Sequence, residues 1–374
     1  GYAARPPLGW QSWCAVGSCG TDHCFDSQIR ETADAMVANG MLAKGYEWIV
    51  LDDCWHPTRD QSGDLVPSPT FFPDGMQPVI DYVHAKGFKF GLYTSVGTET
   101  CHGGWSPGSY GHYERDARLF AAWAVDWVKM DWCGDERSAE GHANFSRALN
   151  ATGREMILEL CRGPYAGEDG WGYAPQIAQV WRAAKDHHDD FSNTLSQINA
   201  LAAHPDWSGP FGWAYGDMMM TGGEGCDPYD PAVPTHCPKQ TDAEYRTEAA
   251  SYAVLSSPMM VGTDVRNMTK IMEELLLNDE LLAIQRDVAH KAAKIRWSRG
   301  GGEALVRALK DGGVAVAQSN LGEEANVTVV LDDLCAHPPC AFAVRDVLAR
   351  RDLGTHTSEL VLLVGAHDTA LLKL

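Results

Sequence analysis

The 374-residue chain has no apolar run near the ~20 residues that cross a bilayer; stretches such as Tyr252–Leu255 and Leu360–Val364 stop far short, and a soluble protein is expected. Basic residues are few. Thirty Lys and Arg stand against fifty Asp and Glu, a formal charge of −20. That field repels phosphate backbones and anionic lipid, so neither nucleic acid nor membrane is an expected partner. No glycine fingerprint follows an early strand, and no Lys-Ser/Thr follows Gly300-Gly-Gly302, which argues against dinucleotide and phosphate-loop sites. No CxxC pair and no nearby His pair completes a zinc set. Internal repeats and low-complexity tracts are absent. The chain opens at Gly1 without Met, basic n-region or apolar h-region, as expected after a leader is removed or a chain is trimmed.

What is present is material for a large core: 45% of residues are apolar and 21% charged, which excludes disorder, collagen and coiled coil. Eleven cysteines are many for a cytosolic enzyme. Cys14, Cys19 and Cys24, then Cys226 with Cys237, then Cys335 with Cys340, sit close enough for short-range disulfides in an oxidising compartment. The odd count leaves one thiol over, and Cys161, inside an apparent strand, is the candidate. Four sequons, at Asn144, Asn150, Asn267 and Asn326, agree with a secretory route.

Strand-like runs alternate with helix-like segments, the pattern of a parallel sheet with crossover helices. Trp48-Ile-Val-Leu, Phe88-Lys-Phe-Gly-Leu-Tyr, Val125-Asp-Trp-Val-Lys-Met and Met156-Ile-Leu-Glu-Leu read as buried strands. Asp26 to Ala43 reads as a helix with Ile29, Ala33, Met36, Val37 and Met41 on one face and Gly45 closing it. His112 to Trp123, Arg137 to Leu149, Asp189 to Ala203 and Asp242 to Leu255 repeat the theme. About eight such units precede residue 285, so a (β/α)₈ barrel is the leading topology, over residues 1–288, with a doubly wound sheet as runner-up. From residue 289 to 374 short alternating segments between turns, with Gly300-Gly-Gly and Gly312-Gly as hairpin signals, predict an antiparallel β-sandwich.

Barrel sites form at the carboxyl ends of strands, and here those ends are acidic. Asp52-Asp53, Tyr93, Lys129-Met-Asp131, Trp181-Arg182 followed by Asp186, and Asp217 terminate successive runs, with Trp10 and Trp13 near the first. Carboxylates, cations and aromatics converging on one mouth suit a carbohydrate. Lys129 and Asp131 share a face of their strand, which fits a site or a plain ion pair equally. Adjacent Asp52 and Asp53 need compensation. In Asp186-His-His-Asp-Asp the two histidines diverge, which disfavours metal, and Asp189 is expected to cap the helix before Phe191.

Gly9-Trp-Gln-Ser-Trp13, Leu51-Asp-Asp-Cys-Trp55, Gly91-Leu-Tyr, Cys101 with Pro107-Gly-Ser-Tyr-Gly-His-Tyr, Val128-Lys-Met-Asp-Trp-Cys133 and Trp181-Arg182 through Asp186 together resemble the α-galactosidase (melibiase) family, glycoside hydrolase family 27. The likeness runs in order to about Asp217, and the tail resembles the family's C-terminal sandwich. It implies a retaining exo-glycosidase without metal or organic cofactor, Asp131 as nucleophile and Asp186 as acid/base. Lys129 and Arg182 would keep the attacking group ionised, and Asp186 would be held partly protonated by burial or acidic neighbours. It also implies Asp52, Asp53 and Lys129 as ligands of the far hydroxyls, Trp13 and Tyr93 as walls, Arg182 at the 2-hydroxyl, and a Cys101–Cys133 pair bracing the nucleophile's loop.

Two departures bear on specificity. Ala214-Tyr-Gly-Asp217-Met218 keeps only the last two residues of the family's Asn-Asp-Pro-Asp-Met stretch, with Asp217 retained as a site residue. In Cys161-Arg-Gly-Pro-Tyr165, bulky Arg162 and Tyr165 replace the small residues of N-acetyl-accepting relatives, and steric exclusion favours galactose. Asp52, shorter than a Glu, leaves room for a hydroxymethyl group, against an arabinopyranoside. The loop Thr221–Thr241 is expected to cover the cleft and select the aglycone. The rivals are an α-N-acetylgalactosaminidase, a β-L-arabinopyranosidase, a non-catalytic sugar-binding protein and a barrel metallohydrolase. The partner expected is a galactoside or glycan, in a secreted, vacuolar or lysosomal setting; a homodimer stands as the oligomer to test.

Overall fold

Each buried apolar run becomes a short parallel strand. The computed structural model describes the chain apart from residues 21–23, 102–105, 162–169, 227–234, 290 and 300–301, and gives residues 170–171 and 295–299 as backbone alone. Eight strands form one sheet: β1 (Leu8–Gln11), β2 (Trp48–Leu51), β3 (Lys89–Ser95), β4 (Trp127–Asp131), β5 (Ile157–Leu160), β6 (Val180–Arg182), β7 (Trp213–Tyr215) and β8 (Met259–Val261). The order is β8-β1-β2-β3-β4-β5-β6-β7, every ladder parallel. Just past β7, Met219 pairs in parallel with Val261, and Met219 N donates to Met260 O, so the ring closes.

A strand alternates its faces with period two, and this parity builds the barrel's interior in layers. Trp48, Trp127 and Trp213 cluster with Ile157 and Val180 at the amino-terminal end. Gly9 and Gly91 make room for them: a Cβ on Gly9 would lie 2.6 Å from the Trp48 Cβ, and one on Gly91 2.9 Å from that of Trp127. Two residues further along come Gln11, Tyr93, Lys129, Glu159, Arg182 and Tyr215. Two more bring Asp52, Asp131, Cys161 and Asp217 to the mouth.

The crossovers are helical: α1 (Asp26–Ala38), α2 (Gln77–Ala85), α3 (Tyr113–Ala122), α4 (Ala139–Ala151), α5 (Gly170–Ile177), α6 (Phe191–Ala203) and α7 (Asp242–Val254). Helix α1 buries Ile29, Ala33 and Met36, but stops five residues before the predicted Ala43. Gly40 takes the left-handed conformation at φ 86°, and a single turn restarts at Met41–Lys44 before Gly45 ends it; Val37, expected on the buried face, is 45% exposed. Asp190, not Asp189, caps α6. Asp189 instead accepts hydrogen bonds from Lys239 N, Gln240 and Tyr245, and so ties a loop to α7.

The C-terminal strands are β9 (Ile295–Arg299), β10 (Gly302–Ala308), β11 (Val314–Ser319), β12 (Ala325–Val330), β13 (Ala341–Asp346), β14 (Arg351–Thr357), β15 (Glu359–Val364) and β16 (Thr369–Lys373). Six form an antiparallel sheet ordered β9-β10-β11-β16-β13-β14, and β12 pairs with β15. Val306, Val316, Val329, Leu360 and Leu372 fill the space between the two sheets. The Gly312 hairpin turn is present, at φ 88°. Gly300 and Gly301 lie outside the described residues, although β9 and β10 pair across them. The five disulfides are Cys14–Cys19, Cys24–Cys54, Cys101–Cys133, Cys226–Cys237 and Cys335–Cys340. Cys161, outside these five pairs, is a buried thiol.

Candidate active site

Lys129 and Asp131 follow Trp127 on the inward face of β4. Both Asp52 and Lys129 are buried, and the Lys129 ammonium donates to Asp52 Oδ2 at 2.7 Å. Burial opposes the lysine's charge, yet Asp52, the Cys161 thiol, Glu159 and Asp217 outweigh it and hold its pKa well above the usual value. Ser12 Oγ accepts from Asp52 N, Asp52 Oδ1 from Asp53 N, and Asp53 Oδ1 from Cys54 N. The adjacent carboxyls are thus steadied by backbone donors as well as by Lys129. Cys54 is at φ 104° and is disulfide-bonded to Cys24.

Asp131 accepts from the Tyr93 hydroxyl at 2.8 Å and from Trp132 N at 2.8 Å. Burial first, and then Asp131, Asp53 and Asp52, raise the Tyr93 pKa well above the phenol value, so it remains a donor. The Tyr93 hydroxyl also accepts from Cys101 N at 3.4 Å. The loop after β4 is locked to the end of β3 by the Cys101–Cys133 disulfide and by Ser95 Oγ, which bonds both Cys133 N and Cys133 O. Asp131 and the Cys101 and Cys133 sulfurs lie close enough to suggest a metal site, but sulfurs bonded to each other offer no thiolate.

Arg182, on β6, two strands along the ring from β4, is 1% exposed. Its Nη2 reaches Asp186 Oδ1 at 3.0 Å and Asp217 Oδ2 at 2.9 Å, and its Nη1 donates to Cys161 Sγ at 3.3 Å. Asp217 holds φ 70°, a left-handed backbone that Asp tolerates better than bulkier residues, and its Oδ2 also accepts from His187 N. The structure corrects the expected environment of Asp186. Its side chain is 66% exposed. What burial it has raises its pKa, but Arg182, Lys129 and His188 outweigh that and hold it below the usual carboxylate value. The guanidinium that positions this carboxyl also favours its ionised form. Cys161, just past β5, links the two acids' strands: its N donates to Met130 O beside Asp131, and its sulfur accepts from the Arg182 that holds Asp186.

Trp13 is half-buried against the core, with Gly20 over its ring. Arg162 and Tyr165 fall outside the described residues, as does the middle of the Thr221–Thr241 loop. Sequence reasoning missed two groups. One is the rest of the interior layer that holds Lys129, where Glu159 Oε2 accepts from Gln11 Nε2 at 3.0 Å and Trp127 Nε1 at 2.9 Å, and Tyr215 donates to Gln11. The other is His187, buried beside Asp186, whose ring nitrogens meet Met218 O and Thr194 Oγ1. The signal for Glu159 was its charge at an inward parity position of an apolar strand.

Residues 5–287 match the family model described as alpha galactosidase A, and residues 299–374 match the alpha galactosidase C-terminal beta sandwich domain. The chain belongs to the α-galactosidase family. It is 34% identical to an alpha-galactosidase of Coffea arabica, over 99% of this chain and 93% of the relative. With a probable alpha-galactosidase of Dictyostelium discoideum it shares 32%, over 96% and 88%. Alpha-galactosidase I of Mortierella vinacea superposes with a TM-score of 0.88 at 29% identity, covering 100% of this chain and 97% of that one. A β-L-arabinopyranosidase of Geobacillus stearothermophilus shares the fold at a TM-score of 0.88 with 23% identity, over 100% and 96%. This family member is an α-galactosidase-like glycoside hydrolase, and no helix among its described residues is long and apolar enough to cross a membrane.

Proposed function

We propose that this α-galactosidase-like enzyme removes terminal α-D-galactosyl residues by double displacement, with Asp131 as nucleophile and Asp186 as acid/base. The observation that carries the reading is the contact chain between these two carboxyls: Asp131 ends β4, Cys161 N bonds the neighbouring Met130 O, and Arg182 on β6 bonds both Cys161 Sγ and Asp186. In the first step an Asp131 oxygen bonds to the anomeric carbon, the glycosidic C–O bond breaks, and Asp186 gives its proton to the departing oxygen. In the second, Asp186 takes a proton from water, the water oxygen bonds to the same carbon, and Asp131 leaves. The carboxyls of a retaining pair stand about 5–5.5 Å apart.

In this reading Asp52, Asp53 and Lys129 bind the far hydroxyls, and Trp13 and Tyr93 wall the ring. Arg182 contacts the 2-hydroxyl with Asp217 holding it, and the Cys101–Cys133 disulfide borders the site. Bound substrate covers Asp186 and engages Arg182, and both changes raise the carboxyl's affinity for the proton it must deliver. The short Asp52 supports galactose over arabinopyranose. Five disulfides support an oxidising, secretory setting. Following the product anomer by NMR tests the mechanism: α-galactose appears first if configuration is retained, and β-galactose first refutes double displacement. A panel of aryl glycosides varied at the 2- and 5-substituents tests the glycone; faster turnover of an acetamido or arabinosyl substrate overturns the galactose assignment.

A further inference from the structure

Beside Lys129, in the same layer of the barrel interior, lies a carboxyl with no part in the chemistry above. Glu159 is fully buried, and β4 and β5 pair it with Lys129 in register, so the two side chains lie side by side inside the barrel. Its Oε2 takes the Gln11 amide and the Trp127 indole, both neutral donors, while Oε1 has no hydrogen-bond partner among the described residues. The charged groups acting on it are Lys129 on β4, Asp52 past β2 and Asp217 past β7; Tyr215 on β7 reaches it through Gln11. The described hydrogen bonds of the Lys129 ammonium include one, to Asp52, out of three it can donate.

We propose that Glu159 is a positioning residue for the glycone floor: as a neutral acid it leaves Lys129 to Asp52 and the sugar, and as a carboxylate it draws the ammonium aside, away from them. The inference rests on Lys129 binding the sugar's hydroxyls, as proposed above. A buried carboxylate whose second oxygen lacks a donor is costly, and the ammonium beside it is the group able to supply one. Burial, aided by Asp217 and Asp52 and opposed by Lys129, places the transition near neutral pH, at about 7. Galactose affinity therefore falls as pH rises through that value, while the acids that carry out bond cleavage keep their own partners.

Calorimetric titration of the whole enzyme with galactose between pH 5.5 and 8 tests this. Wild type is expected to lose roughly five- to ten-fold in affinity over that range, the worth of one charged hydrogen bond, whereas Glu159→Gln, which keeps acceptors for Gln11 and Trp127, loses less than about two-fold. KM for an aryl galactoside follows affinity, and kcat moves little. Equal pH dependence in the two proteins, or a flat wild-type profile, overturns the proposal. Infrared difference spectra of the sugar-free enzyme supply a readout independent of substrate. The carbonyl bands of protonated carboxylic acids should include one that vanishes at about pH 7 in wild type and is missing in Glu159→Gln, beside the Glu248 band, lost at about 8 in both; a wild type with no band lost at about 7 contradicts the proposal even if the variant fails to fold. Were galactose not to bind at any pH, the glycone reading would fall while the infrared titration still reported on Glu159.

Discussion

The carboxyl of Asp186 is held by the same Arg182 that Asp217 orients. This pairing sets what its removal should do. Asp186→Ala is expected to slow hydrolysis of galactosides with poor leaving groups by about 10²–10⁴-fold, and that of activated aryl galactosides far less, because protonation matters most when departure is difficult. Steady-state rates across a series of phenol leaving groups check this, and equal losses throughout would contradict the acid role. The positions of Asp52, Lys129, Asp131, Arg182, Asp186 and Asp217 at the mouth were legible because polar residues ending apolar runs stand out. The hydrogen-bonding state of Asp186 was not, since it depends on a guanidinium that reaches it only once β6 and the loop beyond are folded. Glu159 was passed over because a lone charge inside a strand quoted as apolar gives no hint of its partners on β1 and β4.

Among the elements, the junction of β3 with the loop after β4 is the tightest part of the site. A Cβ on Gly97 would lie 2.2 Å from Cys133 O and 2.5 Å from Asp135 O, both rigid backbone atoms. Gly97→Ala is therefore expected to destabilise the fold by ~1–3 kcal/mol and to lower kcat by displacing the loop that carries Trp132 N, a donor to Asp131. Thermal melts with parallel rate measurements decide it; a variant with unchanged Tm and kcat would show that the loop yields freely. Strands β2 to β5 stood out as apolar runs and helices α1, α3, α4, α6 and α7 by their period, with α4 and α6 displaced by about two residues at their starts. The end of α1 could not, because Ile29, Ala33, Met36 and Met41 keep helical spacing straight through the left-handed Gly40. Strand β14 was not singled out either: Arg351–Thr357 is largely exposed and lacks the apolar alternation that marks a half-buried strand.

At the scale of the whole molecule, α7 joins barrel to sandwich. Arg246 pairs with Asp368, Thr247 bonds His367 O and Thr369, and buried Arg307 donates to Ala253 O and Ile284 O. Buried titratable groups set the pH range of this assembly. Burial lowers the pKa of His56 from 6.5 to about 3 and of His187 from 6.5 to about 4, so the unfolded chain binds more protons and stability drops as pH falls below 6.5. Burial raises Glu159 and Glu248 from 4.5 to about 7 and about 8. For these the folded chain binds more protons, and stability drops as pH rises from 4.5 through those values. The two trends oppose each other between 4.5 and 6.5, so Tm should be highest there and fall on both sides. Glu248→Gln should flatten the alkaline side, and a Tm still rising at pH 8 would contradict this balance. The proposed catalysis depends on Asp131 bonding to the sugar. Peptide mapping by mass spectrometry after trapping with an activated 2-deoxy-2-fluoro galactoside should place one galactosyl group on Asp131, and label on another carboxylate would contradict the account.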